Sequence, residues 1–301
     1  FPEKELAVYL EKKKQNLIVE LNKVKTLAKR RFFEVLFGSG HSYGRNIQLS
    51  GFDNINVVNC LDFYQKYYQP GFCNIILSGK TDDSVSREIS KRFGEDNWNK
   101  QDFTPQDRGF KTVPPSEARH IVEKTDAVQS AVRIGKHLFN RTHPDYPVMH
   151  VLNTVLGGYF GSRLMANIRE DKGYTYGIGS ILVSLKNSGF FVIVSEVGAD
   201  VCENAIKEIH YEINKLKNEL IPLDELETVK NYMLGNLVRS FDGPFALSQA
   251  LKVLLDSGLD YDYYHRFIDK VKSVTAGELQ RMAVKYLDTG SFYEVIAGKC
   301  T

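Results

Sequence analysis

The sequence has no cysteine pair of the kind that binds metal or cycles redox. Its four cysteines, Cys60, Cys73, Cys202 and Cys300, are scattered, and none forms C-x-x-C. Isolated thiols of this kind read as reduced, which favours a reducing compartment. No apolar run reaches the roughly 18 residues needed to span a bilayer, and no signal-peptide pattern opens the chain. A cytoplasmic setting is therefore expected, or a periplasmic one where an N-terminal signal has been removed. An excess of charge of either sign is also missing. Thirty-nine Lys and Arg against 37 Asp and Glu leave a formal +2, too little to imply nucleic acid or an anionic membrane as partner. Gly79-Lys80-Thr81 is not a phosphate loop, because that motif needs a glycine five residues before Gly79 and Asn74 stands there. Nor is there an initiating Met: the chain opens Phe1-Pro2 and is expected to be a piece or a processed form of something longer.

What is present is ordinary globular composition over 301 residues, 43% hydrophobic and 25% charged, enough for two domains. Leu10, Leu17, Leu21, Val24, Ala28 and Val35 recur at helical spacings, so residues 3–37 read as one long helix or two abutting ones. A helix is expected over 54–67 with Asp53 or Asn54 as its cap, then a short strand at Cys73–Leu77 and a helix from Asp82 to Phe93. Residues 99–118 are polar and hold three of the nine prolines, the best candidate for a linker. Beyond it, Ala118–Glu123 and Ser130–Gly135 read as a hairpin about Lys124-Thr125-Asp126. A helix through Leu156 follows, then strands at Gly177–Ser184 and Gly189–Ser195. Helices are expected at 200–217, 222–238, 245–256, 260–272 and 275–286, and a last strand at Ser291–Ala297. Strands joined mostly by hairpins, with helices segregated from them, give an α+β class: an antiparallel sheet with helices packed on one side.

The stretch that organises the rest is Leu156–Ser180, LGGYFGSRLMANIREDKGYTYGIGS. An apolar helix ends in charges, turns at Gly173 and leaves as a strand carrying Tyr174 and Tyr176. Arg169 and Tyr176 are seven residues apart, so a bend at Gly173 can set a guanidinium beside a phenol. Such a donor pair suits a carbonyl oxygen that becomes an oxyanion. Alternation puts Tyr174 and Tyr176 on one face and does not choose between them. The bland alternative is that Arg169 caps a helix and Tyr176 is a half-buried strand residue.

The string Gly157-Gly158, Ser162-Arg163-Leu164, Ile168-Arg169-Glu170, Gly173-x-x-Tyr176 and Ser180 resembles the second-domain signature of the pitrilysin family of zinc peptidases, the family of insulin-degrading enzyme and the mitochondrial processing peptidases. The order of elements agrees over nearly the whole chain. The resemblance implies that residues 1–108 are the rear part of a first pitrilysin-type domain plus linker, and that 109–301 are a complete second one. It also implies that Arg169 and Tyr176, the later of the two tyrosines, bind substrate backbone beside a zinc held by another domain. His41-Ser42-Tyr43-Gly44-Arg45 is similar to a family loop in which Ser42 would be proline.

The family's catalytic half is missing. Zinc catalysis of this type needs His-x-x-Glu-His, with two histidine ligands and a glutamate base, and none of the seven histidines heads or closes it. His120-Ile-Val-Glu123 comes nearest, but Lys124 takes the last place. Glu20 falls near the family's third ligand, but Lys13 stands where an acid is usual, and one carboxylate does not make a zinc site. The expectation is therefore no metal and no cofactor in this chain, with zinc in the complete enzyme or a partner. The chain would be a non-catalytic portion or partner subunit that helps hydrolyse peptides beside a zinc-bearing pitrilysin-type domain. A scaffold subunit of the same fold, or a peptide-binding module using a strand edge, are the alternatives.

Overall fold

The computed structural model describes residues 1–94 and 115–299. The linker expected over 99–118 lies mostly outside them. Contacts divide the chain into two units: Phe1–Leu21, Ile47–Lys111 and Phe241–Lys252 form one, and Asn22–Asn46, Thr112–Ser240 and Val253–Thr301 form the other.

The second unit is built on a five-stranded sheet. Its strands are β1 (Arg119–Glu123), β2 (Gln129–Leu138), β3 (Thr175–Ser184), β4 (Gly189–Gly198) and β5 (Tyr293–Gly298), in the spatial order β1-β5-β2-β4-β3. The expected β1–β2 hairpin is not formed. The last strand inserts between them, pairing antiparallel with β2 (Val132 opposite Ile296) and parallel with β1 (Ile121 opposite Ile296). The segment around Thr125 is thus a crossover past the end of β5, held where Lys124 N donates to Gly298 O at 3.2 Å. The sheet is antiparallel apart from that β1–β5 pair.

Both faces of the central strands are apolar. Along β2, Val132 and Ile134 enter one core and Ala131 the other; along β4, Phe191 and Ile193 alternate with Phe190 and Val192; on β5, Ile296 lies between Val295 and Ala297. Alternation of side chains across a strand makes two cores out of such runs. The larger core is covered by α5 (Tyr146–Asn153), α6 (Cys202–Asn218), α7 (Leu223–Arg239), α9 (Tyr263–Ser273) and α10 (Ala276–Tyr286), which contribute Val151, Ile209, Val229, Val271 and Leu279. The smaller core is covered by α2 (Val24–Phe37), through Ala28, Phe32, Val35 and Leu36. Helices therefore flank both faces, whereas the sequence pattern placed them on one. Of the two forms expected over 3–37, the two abutting helices are found, parted at Asn22-Lys23, and only the second is buried.

The first unit contains α1 (Glu3–Leu21), α3 (Val57–Tyr67), α4 (Asp83–Phe93) and most of α8 (Pro244–Ser257). Asn56, rather than Asp53 or Asn54, caps α3 by accepting from Asn59 N at 2.9 Å, and Leu49–Asn54 is a separate 3-10 turn. Asp82 caps α4, accepting from Ser84 N at 2.9 Å and Val85 N at 3.1 Å. Those bonds, Ser84's hydroxyl first, hold its carboxyl below the usual carboxylate range. The strand expected at Cys73–Leu77 does not form: no described strand pairs with this segment, and Ile75 and Leu77 stay exposed.

Candidate functional site

The family-like stretch begins where α5 loosens into wide π-helical turns, Thr154–Gly158 and then Met165–Asp171. Its small residues have a packing reason. A Cβ on Gly157 would stand 2.5 Å from Ser180 N, so only glycine lets the turn approach β3, where Ser180 Oγ donates to Asn153 O at 3.0 Å. Leu164 and Ile168 are fully buried in the larger core. Arg163 is committed to the scaffold: Nε and Nη2 each lie 2.8 Å from a carboxylate oxygen of Glu225 on α7, a two-pronged pair. Asn167 Nδ2 donates to Glu212 at 2.8 Å and to Glu208 at 3.0 Å on α6. These bonds fix the turn that carries Arg169.

Arg169 itself is half-buried and lies over the exposed ring of Phe160, its Cζ 4.7 Å from the ring centroid. A contact of that type adds about 0.5–1 kcal/mol at an exposed position and orders the guanidinium without satisfying its N–H donors. The helix then stops. Lys172 N donates to Asn167 O and Tyr174 N to Ile168 O, both at 3.0 Å, and Gly173 takes φ +68° between them, a conformation that glycine enters without strain.

The two tyrosines separate here. Tyr174 precedes β3 and packs against the larger core. Tyr176 lies in a bulge. Thr175 is opposite Val197 and Ile178 opposite Ser195, so β3 advances three residues while β4 advances two. Hydroxyls pin this irregularity: Thr175 Oγ1 is 2.6 Å from Glu196 O and accepts from Gly177 N at 3.1 Å, and Ser195 Oγ donates to Gly177 O at 3.0 Å. The surplus residue throws the Tyr176 ring outward until it is 91% exposed. Simple alternation could not have shown this difference.

Tyr176 borders a concavity of about 470 Å³, together with Thr175, Gln129, Arg133, Glu196 and Lys25. Arg133 is largely enclosed, and burial pulls its pKa down against the opposing charge of Glu196. Arg133 was not singled out from the sequence, although a cation inside the apolar run Ala131–Ile134 was the available signal. Arg169 is not among the groups lining this concavity. Among the described residues, no hydrogen bond, ion pair or ring contact joins Arg169 to Tyr176.

The residues present do not fit a zinc site. Among the described residues, no group of three or more His, Cys, Asp or Glu is placed to hold a metal. Four of the seven histidines have other engagements: His137 bonds the Leu36 carbonyl, His120 meets Arg31 at 3.2 Å, His210 meets Glu294 at 2.6 Å, and His143 stacks on Phe139. Lys13, in the place where a family acid is usual, lies 5.3 Å from the centroid of the Tyr9 ring.

A mixed sheet with helices on both faces, carrying a pinned turn and a bulged edge strand, defines an α+β domain. The family model described as "Peptidase M16 inactive domain" matches residues 54–233, and the chain belongs to that family. Two relatives come from Bacillus subtilis. "Uncharacterized zinc protease YmxG" is 28% identical over 180 residues, covering 60% of this chain and 42% of the relative. "Probable inactive metalloprotease YmfF" is 21% identical over 255 residues, 84% of this chain and 58% of the relative. The chain thus spans about half the length of the curated relatives it matches. Among solved structures, a peptidase M16 inactive domain from Pseudomonas fluorescens aligns over 100% of this chain and 72% of that one, with TM-score 0.88 and 22% identity, a likeness of fold. No helix among the described residues is long and apolar enough to cross a membrane.

Proposed function

We propose that this chain is the non-catalytic portion or partner subunit of an M16-type zinc metalloendopeptidase. In this reading it presents Arg169 and Tyr176 to the backbone of a peptide held against a zinc on another M16-type domain. The observation that carries the reading is the bulge, which holds the Tyr176 phenol in solvent one tight bend away from a guanidinium whose N–H groups remain available. Both groups donate hydrogen bonds, and both would gain strength as the scissile carbonyl becomes an oxyanion in a water-poor site. The domain division at 108/109, the partner domain and a cytoplasmic setting belong to the same proposal.

The test is reconstitution with a zinc-bearing M16-type partner. Wild type should restore peptide hydrolysis, while Arg169→Ala and Tyr176→Phe should each lower kcat by about 10²–10³-fold, the usual loss for one oxyanion donor. The 301-residue chain alone should be inactive, so a chelator-sensitive peptidase activity from it would overturn the proposal. A second reading, a scaffold subunit of the same fold, draws on α1, α3 and α4, which bury no side chain. Equal activity of wild type and both variants in the mixture would favour that scaffold.

A further inference from the structure

Away from the Tyr176 concavity, the larger helical layer carries an open cavity of about 370 Å³ between α5, α7, α9 and the turn before α5. That volume falls at the lower end of small-molecule sites. The cavity has an unusual balance of charge. Arg141 lines it and no carboxylate does. The guanidinium is half-buried, its Nε donates to Ser184 Oγ at 3.2 Å, and it makes no ion pair among the described residues. A half-buried guanidinium with no carboxylate beside it can take an anion.

The other polar groups are suited to the same visitor. Tyr146, Tyr263 and Tyr264 line the cavity, and all three have phenol pKa values raised, chiefly by burial. They therefore remain protonated and able to donate at neutral pH. His150 lines it too, and its Nδ1 is buried with no hydrogen-bond partner. Burial lowers the pKa of this ring to about 4, so it is neutral there. The remaining wall is apolar and includes Met233, Leu237 and Phe267. An inorganic anion would leave that wall empty, whereas a small acid with an apolar body would cover it.

We propose that the cavity between α5, α7 and α9 binds a small monocarboxylate with an apolar or aromatic body, its carboxylate held by the Arg141 guanidinium and the phenol hydroxyls. A planar carboxylate matches the fork of an arginine, and a phenol hydroxyl is a directional donor to it.

Isothermal titration of the full 301-residue chain tests this with benzoate, benzamide and inorganic phosphate as probes. Benzoate should bind saturably, and benzamide, the same shape without the charge, at least about tenfold more weakly. Arg141→Gln should remove the preference for benzoate. Because Arg141 also holds Ser184, a second variant guards against misfolding. Asn236→Asp, on the half-exposed rim formed by α7, places a carboxylate at the cavity and should weaken benzoate by at least about tenfold while leaving benzamide unchanged. Benzoate binding that is absent up to about 10 mM, is equalled by benzamide or phosphate, or is unmoved in Asn236→Asp overturns the assignment.

Discussion

The sheet-bearing unit and the unit formed by α1, α3 and α4 place their apolar side chains in opposite ways. In the first, β2, β4 and β5 each feed two cores, and residues such as Ile134, Phe191 and Ile296 are fully enclosed. In the second, three helices bury nothing, and Val58, Phe63 and Ile75 face solvent. α3 and α4 are nonetheless well made, with Asn56 and Asp82 as working caps. Local signals are thus sufficient to form helices, while the stability of a domain depends on what those helices cover.

This contrast can be broken or sharpened by measurement, beginning with the largest effect. Phe32→Ala, which empties the smaller core where Phe32 meets Phe190 at 6.1 Å, should destabilise the sheet unit by about 3–5 kcal/mol in urea unfolding. Acid should then separate the units. The folded pKa of His150 is about 4, held down by burial, against an unperturbed 6.5. The unfolded chain therefore takes up this proton first as pH falls. The contribution is intact above about pH 6.5 and declines toward pH 4, by as much as about 3 kcal/mol for this one group. The urea midpoint of the sheet unit should follow that slope, and His150→Gln should flatten it. Arg163→Gln, which strands Glu225, should cost about 1.5–3 kcal/mol. It should also free the Arg169 turn, seen as faster amide exchange at 165–172. Phe63→Ser, on the uncovered face of α3, should change the stability of the chain by no more than about 0.5 kcal/mol. A loss comparable to that of Phe32→Ala would mean that α3 is covered after all.

Much of this architecture was legible in the residues. The strands at 118–123, 130–135, 177–184, 189–195 and 291–297 followed from composition and turns, and the helices of the larger layer from their stripes. Pairing was not legible. Nothing local to Lys124-Thr125-Asp126 reveals that β5, some 170 residues later, displaces β2 from β1. The segment Cys73–Leu77 has strand composition and no strand to join, so its propensity stays unrealised. That α2 is buried and α1 is not could not be read, because a stripe records periodicity and not which surface it meets. At the candidate site, Gly173, Arg169 and Tyr176 could be named, but not the division of labour. Arg163 is the structural cation paired with Glu225, Tyr174 is the core tyrosine, and Arg133 borders the concavity beside Tyr176. A one-residue irregularity in register decides the tyrosines, and it is invisible in a pattern that assumes strict alternation.

That irregularity also uncouples two demands on the edge strand. Beyond Ile178 the side chains of β3 keep step with β4, while Tyr176 takes its direction from a small knot of hydroxyls at Thr175 and Ser195. The ring can thus be re-aimed by altering two polar neighbours without disturbing a single buried methyl. Conversely, removing Gly177 would bring the strand back into phase and swing the phenol out of place while the fold stayed whole.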